Sequence, residues 1–452
     1  MKIHNTLSGK TEDFEALDGK VNMYVCGITP YSASHIGHAM MSVIFDVVRR
    51  YLEFKGYDVR HIQNFTDIDD KMILAANSTG IDVADLAESN IADYLAEMDA
   101  LNVARAHEYP MATGEIGKIT EIIAKLIEKG YAYPVAGDVY FRVNRDEDYG
   151  KLSHRDLDGL IAGARVEVDE RKEDAIDFAL WKSQKPGEPA WDSPWGMGRP
   201  GWHIECSAMA IKYLGSSIDI HGGGRDLIFP HHENEIAQSE SFTDEVPFSR
   251  FWMHNGMLRL GEDKMSKSIG NIVTVGEALS SYSPDALRLF FLSSHYRAPL
   301  LYTDANVAGQ ERALERLKNA VRPASAPPVG STIDASPAKA QFVEAMDDDF
   351  NTPRALAAMF GLAREINRRK DEGADVLDAQ DTLKELSGIL GISLDETAET
   401  SDASPFVQML VNVRTELRAA RQFDIADSIR DRLSDLGVTI EDTPEGTEWR
   451  MG

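Results

Sequence analysis

The sequence predicts an α/β fold: a doubly wound parallel sheet carrying an inserted subdomain, followed by an α-helical bundle and a small α+β unit at the end. Three observations predict it. The chain opens as strand, helix, strand; its helical rhythm breaks between about residues 120 and 200; and its composition turns helical beyond residue 320.

The opening strand is residues 21–25 (Val-Asn-Met-Tyr-Val), apolar enough to be buried on both faces. A Gly/Thr/Pro turn follows, then a helix from Ala39 to Lys55 ended by Gly56, then an alternating strand over 59–65. Ligands of such sheets bind where loops leave the carboxyl ends of the strands, which is where Cys26 and the turn after it fall. The inserted part shows short strands such as 137–141 and a loop-rich Lys185-Pro186-Gly187-Glu188-Pro189 stretch. Pro323, Pro327, Pro328 and Gly330 mark a linker, after which helices restart at Ser336-Pro337, Thr352-Pro353 and Ser404-Pro405, each read as a hydroxyl cap with Pro behind it. Residues 392–404 hold four acids and no base and read as a second linker. The last stretch, 438–440 and 447–450 around Pro444 to Gly446, predicts a hairpin. The expected divisions are 1–120 with 200–240 (sheet domain), 121–199 (insertion), 241–320, 336–391 (helical bundle) and 405–452.

At 452 residues, 43% of them hydrophobic and 27% charged, the chain is long enough for about three domains and is neither fibrous nor wholly disordered. No stretch approaches the ~18 uncharged apolar residues of a spanning helix, and no apolar segment follows Met1-Lys2-Ile3-His4-Asn5, so a cytoplasmic protein without membrane contact is expected. The net charge of −27 argues against coating nucleic acid by bulk charge, yet residues 241–320 balance their acids and bases, so an anionic partner is expected near that segment. Two cysteines cannot staple such a chain, which excludes a secreted disulfide scaffold.

Chemistry concentrates in three places. His35-Ile36-Gly37-His38 sits at a helix entry, where free amides and the helix dipole already favour a phosphate. Lys264-Met265-Ser266-Lys267-Ser268 supplies two point charges and two hydroxyls able to grip a triphosphate and follow its leaving pyrophosphate. Cys26, Cys206, His231 and Glu235 make a zinc set of two soft ligands, an imidazole and a carboxylate, with His231 and Glu235 four apart on one helix face. His232, Glu233 and Asn234 are expected to point elsewhere on that helix.

Taken in their order along the chain, the first two elements resemble the HIGH and KMSKS motifs of class I aminoacyl-tRNA synthetases. Further stretches narrow the resemblance: Met23-Tyr24-Val25-Cys26-Gly27-Ile28-Thr29, the run from Asn64 to Lys71, Gly201-Trp202-His203-Ile204-Glu205-Cys206, Asp219-Ile220-His221-Gly222-Gly223-Gly224, Phe229-Pro230-His231-His232-Glu233-Asn234-Glu235, the run from Met346 to Pro353, and the run from Glu441 to Thr447. Over essentially its whole length the sequence is similar to the cysteinyl-tRNA synthetases.

That resemblance implies a Rossmann-like catalytic domain with a connective insertion (121–199), a stem-contact region holding KMSKS (241–320) and a C-terminal anticodon-binding domain (405–452). It implies one Zn²⁺ per chain, binding the substrate thiolate and rejecting serine without an editing site, because a soft thiolate coordinates zinc and an alcohol does so poorly. It implies Mg²⁺ with ATP, and L-cysteine, ATP and tRNA(Cys) as partners of a monomeric enzyme. His35, His38, Lys264 and Lys267 are the expected catalytic donors, each worth about 10²–10³-fold in rate. Gly37, Asp226, Ser266 and Ser268 join them around ATP, with Asp226 on the ribose. Thr29, Trp202, His203 and His221 are expected to wall the cysteine pocket, and Arg418, Asp427, Asp442 and Trp449, with Arg421, to meet unpaired bases of the tRNA.

Two departures stand out. Ser32 replaces a usual Asp, and Met40 replaces a usual Arg after the HIGH element. Loss of that Arg also occurs in the paralogous cysteine ligases of mycothiol synthesis, whose acceptor is an amino sugar; His221, Glu235 and the complete tail through Trp449 argue for the tRNA enzyme. A non-catalytic RNA- or protein-binding paralogue is a third reading, opposed by the intact motifs.

Overall fold

The apolar run at 21–25 extends to Lys20–Ile28 and becomes an inner strand of a four-stranded sheet, burying both faces. The computed structural model describes residues 1–155, 171–260, 263–264 (backbone), 272–323, 330, 332–394, 404–443 and 446–451. Its central sheet runs Ser249–Asn255, Ile218–Gly224, Lys20–Ile28, Asp58–Phe65, with every pair parallel. Chain order reverses between Lys20–Ile28 and Ile218–Gly224, where Tyr24 lies beside His221 and Val25 beside Gly222. A crevice for ligands therefore opens at the carboxyl ends of these two strands. Gly27 makes the close approach possible: an ideal Cβ there would stand 1.6 Å from the Asn64 carbonyl oxygen.

Helix Ile36–Phe54 starts ahead of the expected Ala39 because His35 caps it, and it ends at Lys55 before Gly56, whose φ of 90° lets the chain turn away. The insertion is an antiparallel sheet of Ala132–Val135, Asp138–Phe141, Phe178–Ser183 and Gly198–Pro200. It packs on helix Ile116–Glu128, burying Ile119, Ile122, Ile123 and Leu126 against Val139, Phe141, Leu180 and Trp181.

The helices expected as a separate bundle, Ser336–Asp347, Thr352–Asp371 and Leu377–Ile389, share their apolar core with the central sheet, and Met1–Leu394 forms one compact unit. Arg288 ties this junction. Fully buried, it pairs with Asp46 at 2.5 Å and donates to the carbonyls of Leu101 and Leu390. The hydroxyl caps are not as expected: Ala335 and Asn351 occupy the cap positions, Asn351 accepting from the Arg354 amide, so Ser336 and Thr352 sit inside their helices.

Asp395–Gly452 forms the second unit, with helices Ser404–Ala419 and Phe423–Asp435 and the expected hairpin of Val438–Thr443 and Gly446–Met451. Val407, Val411, Leu433, Val438 and Ile440 make its core. Among the described residues, no helix is long and apolar enough to cross a membrane.

Candidate active site and metal centre

Cys26 lies at the carboxyl end of its strand, and Cys206 rises from helix Trp202–Leu214, so the two sulfurs meet at 3.7 Å. Pro230 interrupts the next helix, and Ile228–His232 form a wide π-type turn ahead of helix Glu233–Thr243. That turn brings His231 and His232 to the same place. Cys26, His231, His232 and Glu235 each offer a ligand atom within 4.8 Å of the others, and all four are buried. His231 Nε2 is 3.0 Å from Glu235 Oε1, and His232 Nε2 is 3.2 Å from Cys26 Sγ. His221 is buried beneath, its Nε2 3.6 Å from Cys26 Sγ and 3.4 Å from Glu235 Oε2, with its ring stacked on Trp252.

Burial pushes the Cys26 thiol and the Glu235 carboxyl well above their ordinary pKa values and the His203, His221 and His232 imidazoles well below theirs. Cys206 differs: burial opposes its ionisation, but hydrogen bonds from Cys26 and His231 outweigh it and draw the thiol down to about 7. Glu235 Oε2 makes no hydrogen bond. An orphaned buried carboxylate oxygen among two sulfurs and imidazoles fits a soft divalent cation, whose charge would ionise the thiol and the carboxyl together.

A cleft of about 860 Å³ opens beside this cluster, between the insertion sheet and helix Asp70–Thr79, with Trp202 and His203 at its inner end. Trp202 stacks on His231 with centroids 4.3 Å apart. Across the cleft Asp70 takes Lys182 at 2.6 Å and also Arg199; burial opposes its ionisation, but these two cations hold its pKa at about 2.

His35 caps helix Ile36–Phe54 through Nδ1, which accepts the Gly37 amide at 3.2 Å, and its ring stacks on His38 at 3.7 Å. The backbone of His35 bridges to Thr274, and the Ile36 amide donates to the Val273 carbonyl. The chain following the KMSKS element thus runs against the HIGH element. The Lys264 backbone belongs to a short strand, Asp263–Lys264, while Ser266, Lys267 and Ser268 lie outside the described residues.

Residues 14–312 match the family profile of the class I (C) tRNA synthetase catalytic domain, and 341–395 match the DALR domain. The cysteine–tRNA ligase of Dehalococcoides mccartyi is 56% identical over 455 residues, covering 100% of this chain and 99% of its own. That of Caldicellulosiruptor saccharolyticus is 50% identical, covering 99% of each chain. The chain belongs to the cysteine–tRNA ligase family. A solved structure of Mycobacterium tuberculosis methionyl-tRNA synthetase in complex with methionyl-adenylate superposes with a TM-score of 0.59 at 17% identity, over 87% of this chain and 94% of that one, which shows a shared fold.

Within this cysteine–tRNA ligase family member, three expected ligands, Cys26, His231 and Glu235, come together as a group, with Cys206 against Cys26. His232 corrects the expectation that it points elsewhere: three residues before Glu235, it shares that face of the helix, and its Nε2 enters the cluster. Glu233 and Asn234 do face elsewhere, accepting the Leu152 and Ser153 amides and the Tyr149 hydroxyl from the insertion. Trp202 and His203 line the cleft and Thr29 is half-buried near the sheet's edge, but His221 lies under the cluster. Asp226 is exposed in the turn Arg225–Leu227, directly after strand Ile218–Gly224.

In the second unit Arg418 and Asp427 are exposed, 3.9 Å apart. Asp442 is engaged internally, both its oxygens held at 2.8 Å by buried Arg414, so it fastens the hairpin to helix Ser404–Ala419. Trp449 is half-buried and donates from Nε1 to Gln408. Sequence reasoning missed the cations lining the cleft, because they come from a helix, two insertion strands and the loops beside them, with no shared spacing.

Proposed function

We propose that this chain activates L-cysteine with ATP and transfers it to the 3′ end of tRNA(Cys), working in the cytoplasm as a monomer. The observation that carries the reading is the buried Cys/His/Glu cluster, separated from a wide cleft only by Trp202 and His203, in a chain of this family.

Cys26, Cys206, His231 and Glu235 would hold zinc. His232, whose Nδ1 bonds His254 at 2.8 Å and whose Nε2 faces the Cys26 sulfur, is placed as an alternative donor to the same cation. Bound there, zinc would favour a thiol side chain over a hydroxyl, soft sulfur being the better donor. The cysteine carboxylate attacks the α-phosphorus of ATP, and pyrophosphate leaves. His35 and His38, at a helix N-terminus, donate to the phosphate oxygens as charge grows there, and Lys264 and Lys267 grip the β- and γ-phosphates; Mg²⁺ bound with ATP would add further neutralisation of that charge. A ribose hydroxyl of the terminal adenosine then attacks the adenylate carbonyl, releasing AMP.

The test measures cysteine-dependent pyrophosphate exchange, then acceptor use with tRNA(Cys) and with glucosaminyl-inositol in parallel. Charging of tRNA alone is expected. Use of the amino sugar in place of tRNA would replace this reading by the paralogous ligase, and absence of exchange would remove both.

A further inference from the structure

His203 and His231 meet through like atoms: their Nδ1 nitrogens are 2.9 Å apart. A contact that short between two imidazole nitrogens is a hydrogen bond, so one carries the proton and the other accepts it. Which does which is set at the far side of His231. Its Nε2 is the atom that stands 3.0 Å from Glu235 Oε1, within the ligand group. An imidazole that gives its Nε2 lone pair to a cation keeps its proton on Nδ1, so His231 donates and His203 accepts. A ring that accepts at Nδ1 bears its one proton on Nε2. His203 lines the cleft, so that N–H is what it offers there.

The neighbours fix both ring planes. Trp202 stacks on His231 at 24°, and Phe178 meets His203 edge-on, with centroids 5.8 Å apart and planes at 85°. A ring turned over in that plane would put a carbon where Nδ1 stands and lose the hydrogen bond between the two.

We propose that His203 is a positioning residue that fixes the His231 tautomer for the cation and, as a result, presents its Nε2–H to an oxyanion of the substrate in the cleft. The polarity of the cleft wall thus depends on occupancy of the metal centre: proton positions on two rings link cation to substrate over a single hydrogen bond. The inference rests on the proposed zinc site and goes beyond it by assigning His203 two separable jobs.

Two substitutions separate them. In His203→Phe the ring shape stays and both nitrogens go. In His203→Asn the side-chain oxygen replaces Nδ1 as acceptor, but no donor stands where Nε2 was. Zinc affinity, measured by chelator competition without substrates, is expected to fall about 10- to 100-fold in His203→Phe. It should stay within about threefold of wild type in His203→Asn, while pyrophosphate exchange drops at least about tenfold, as for loss of a preorganised donor. A loss in cysteine affinity measured without ATP assigns the oxyanion to the amino-acid carboxylate; a loss in exchange rate alone assigns it to the phosphate. Far-UV circular dichroism checks that both variants fold. His203→Phe with wild-type zinc affinity, His203→Asn as weak for zinc as His203→Phe, or His203→Asn with full exchange overturns the proposal. A wild-type chain that binds no zinc removes the underlying site itself, and that result is distinguishable because it precedes any variant.

Discussion

His61 should make the first unit lose stability in mild acid. It sits buried on strand Asp58–Phe65, and neither ring nitrogen has a hydrogen-bond partner. Burial first, and the charge of Arg49 second, push its pKa down to about 3 from the ordinary 6.5. Between those values an unfolded chain takes up a proton that the folded chain refuses, so stability falls as pH falls from 6.5 toward 3. At ~1.4 kcal/mol per pH unit the full effect is limited to about 5 kcal/mol, and at pH 5 it is about 2 kcal/mol. Urea unfolding followed by tryptophan fluorescence at pH 7.5 and pH 5 reads it directly. His61→Phe keeps a ring in the site and removes the titration, so the difference in unfolding free energy between the two pH values should shrink by about 2 kcal/mol. A variant with the wild-type difference would show that the ring is protonated or solvated in the fold, and would refute the argument from burial.

Three further outcomes are expected. Elemental analysis of metal-replete protein should give one zinc per chain, and Cys206→Ala should lose both zinc and preference for cysteine over serine, because its sulfur is the more readily ionised of the two. Lys267→Ala should lower pyrophosphate exchange by orders of magnitude with a smaller change in ATP affinity, if the side chain acts mainly as charge builds in the transition state; this is read from kcat against KM. A chain ending at Leu394, the boundary of the first compact unit, should keep cysteine activation and need more tRNA for charging; equal charging efficiency would rule out anticodon reading by the second unit.

The strand at 20–28 was legible because a parallel sheet buries both faces and writes itself as a near-continuous apolar run, and that at 58–65 because its apolar residues alternate with polar ones. Cys26, Cys206, His231 and Glu235 were legible because their side chains suit a metal whatever the fold. His232 was missed although its spacing carries the signal: positions three and four before Glu235 both lie on that face of a helix, and only the fourth was counted. Asp442 looked like a free acceptor until its partner was known: Arg414 lies on another element, and a bidentate pair between elements leaves no local trace. The caps failed for a related reason. A hydroxyl next to Pro signals a helix start, but Asn351, one residue earlier, competes for the same amides and wins with its longer acceptor.

The charge of the chain sharpens what the cleft must do. A protein at −27 repels RNA over most of its surface, so a productive encounter needs a local reversal of sign. The cleft comes nearest to one: Lys71, Arg171, Lys172, Lys182, Lys185 and Arg199 outnumber Asp69, Asp70, Asp138 and Glu188 on its wall. Three of the cations are already committed, Lys182 to Asp70, Arg199 to Asp70 and Glu188, and Arg171 to Asp138, so they shape the wall more than they neutralise a guest. Lys172, lying over the Tyr140 ring at 5.8 Å, offers charge and an aromatic face together, the combination that suits an unpaired nucleotide. We expect such a charge distribution to favour an RNA end over RNA lying flat, because a single-stranded end brings few phosphates near the acidic surface while a duplex laid across it brings many.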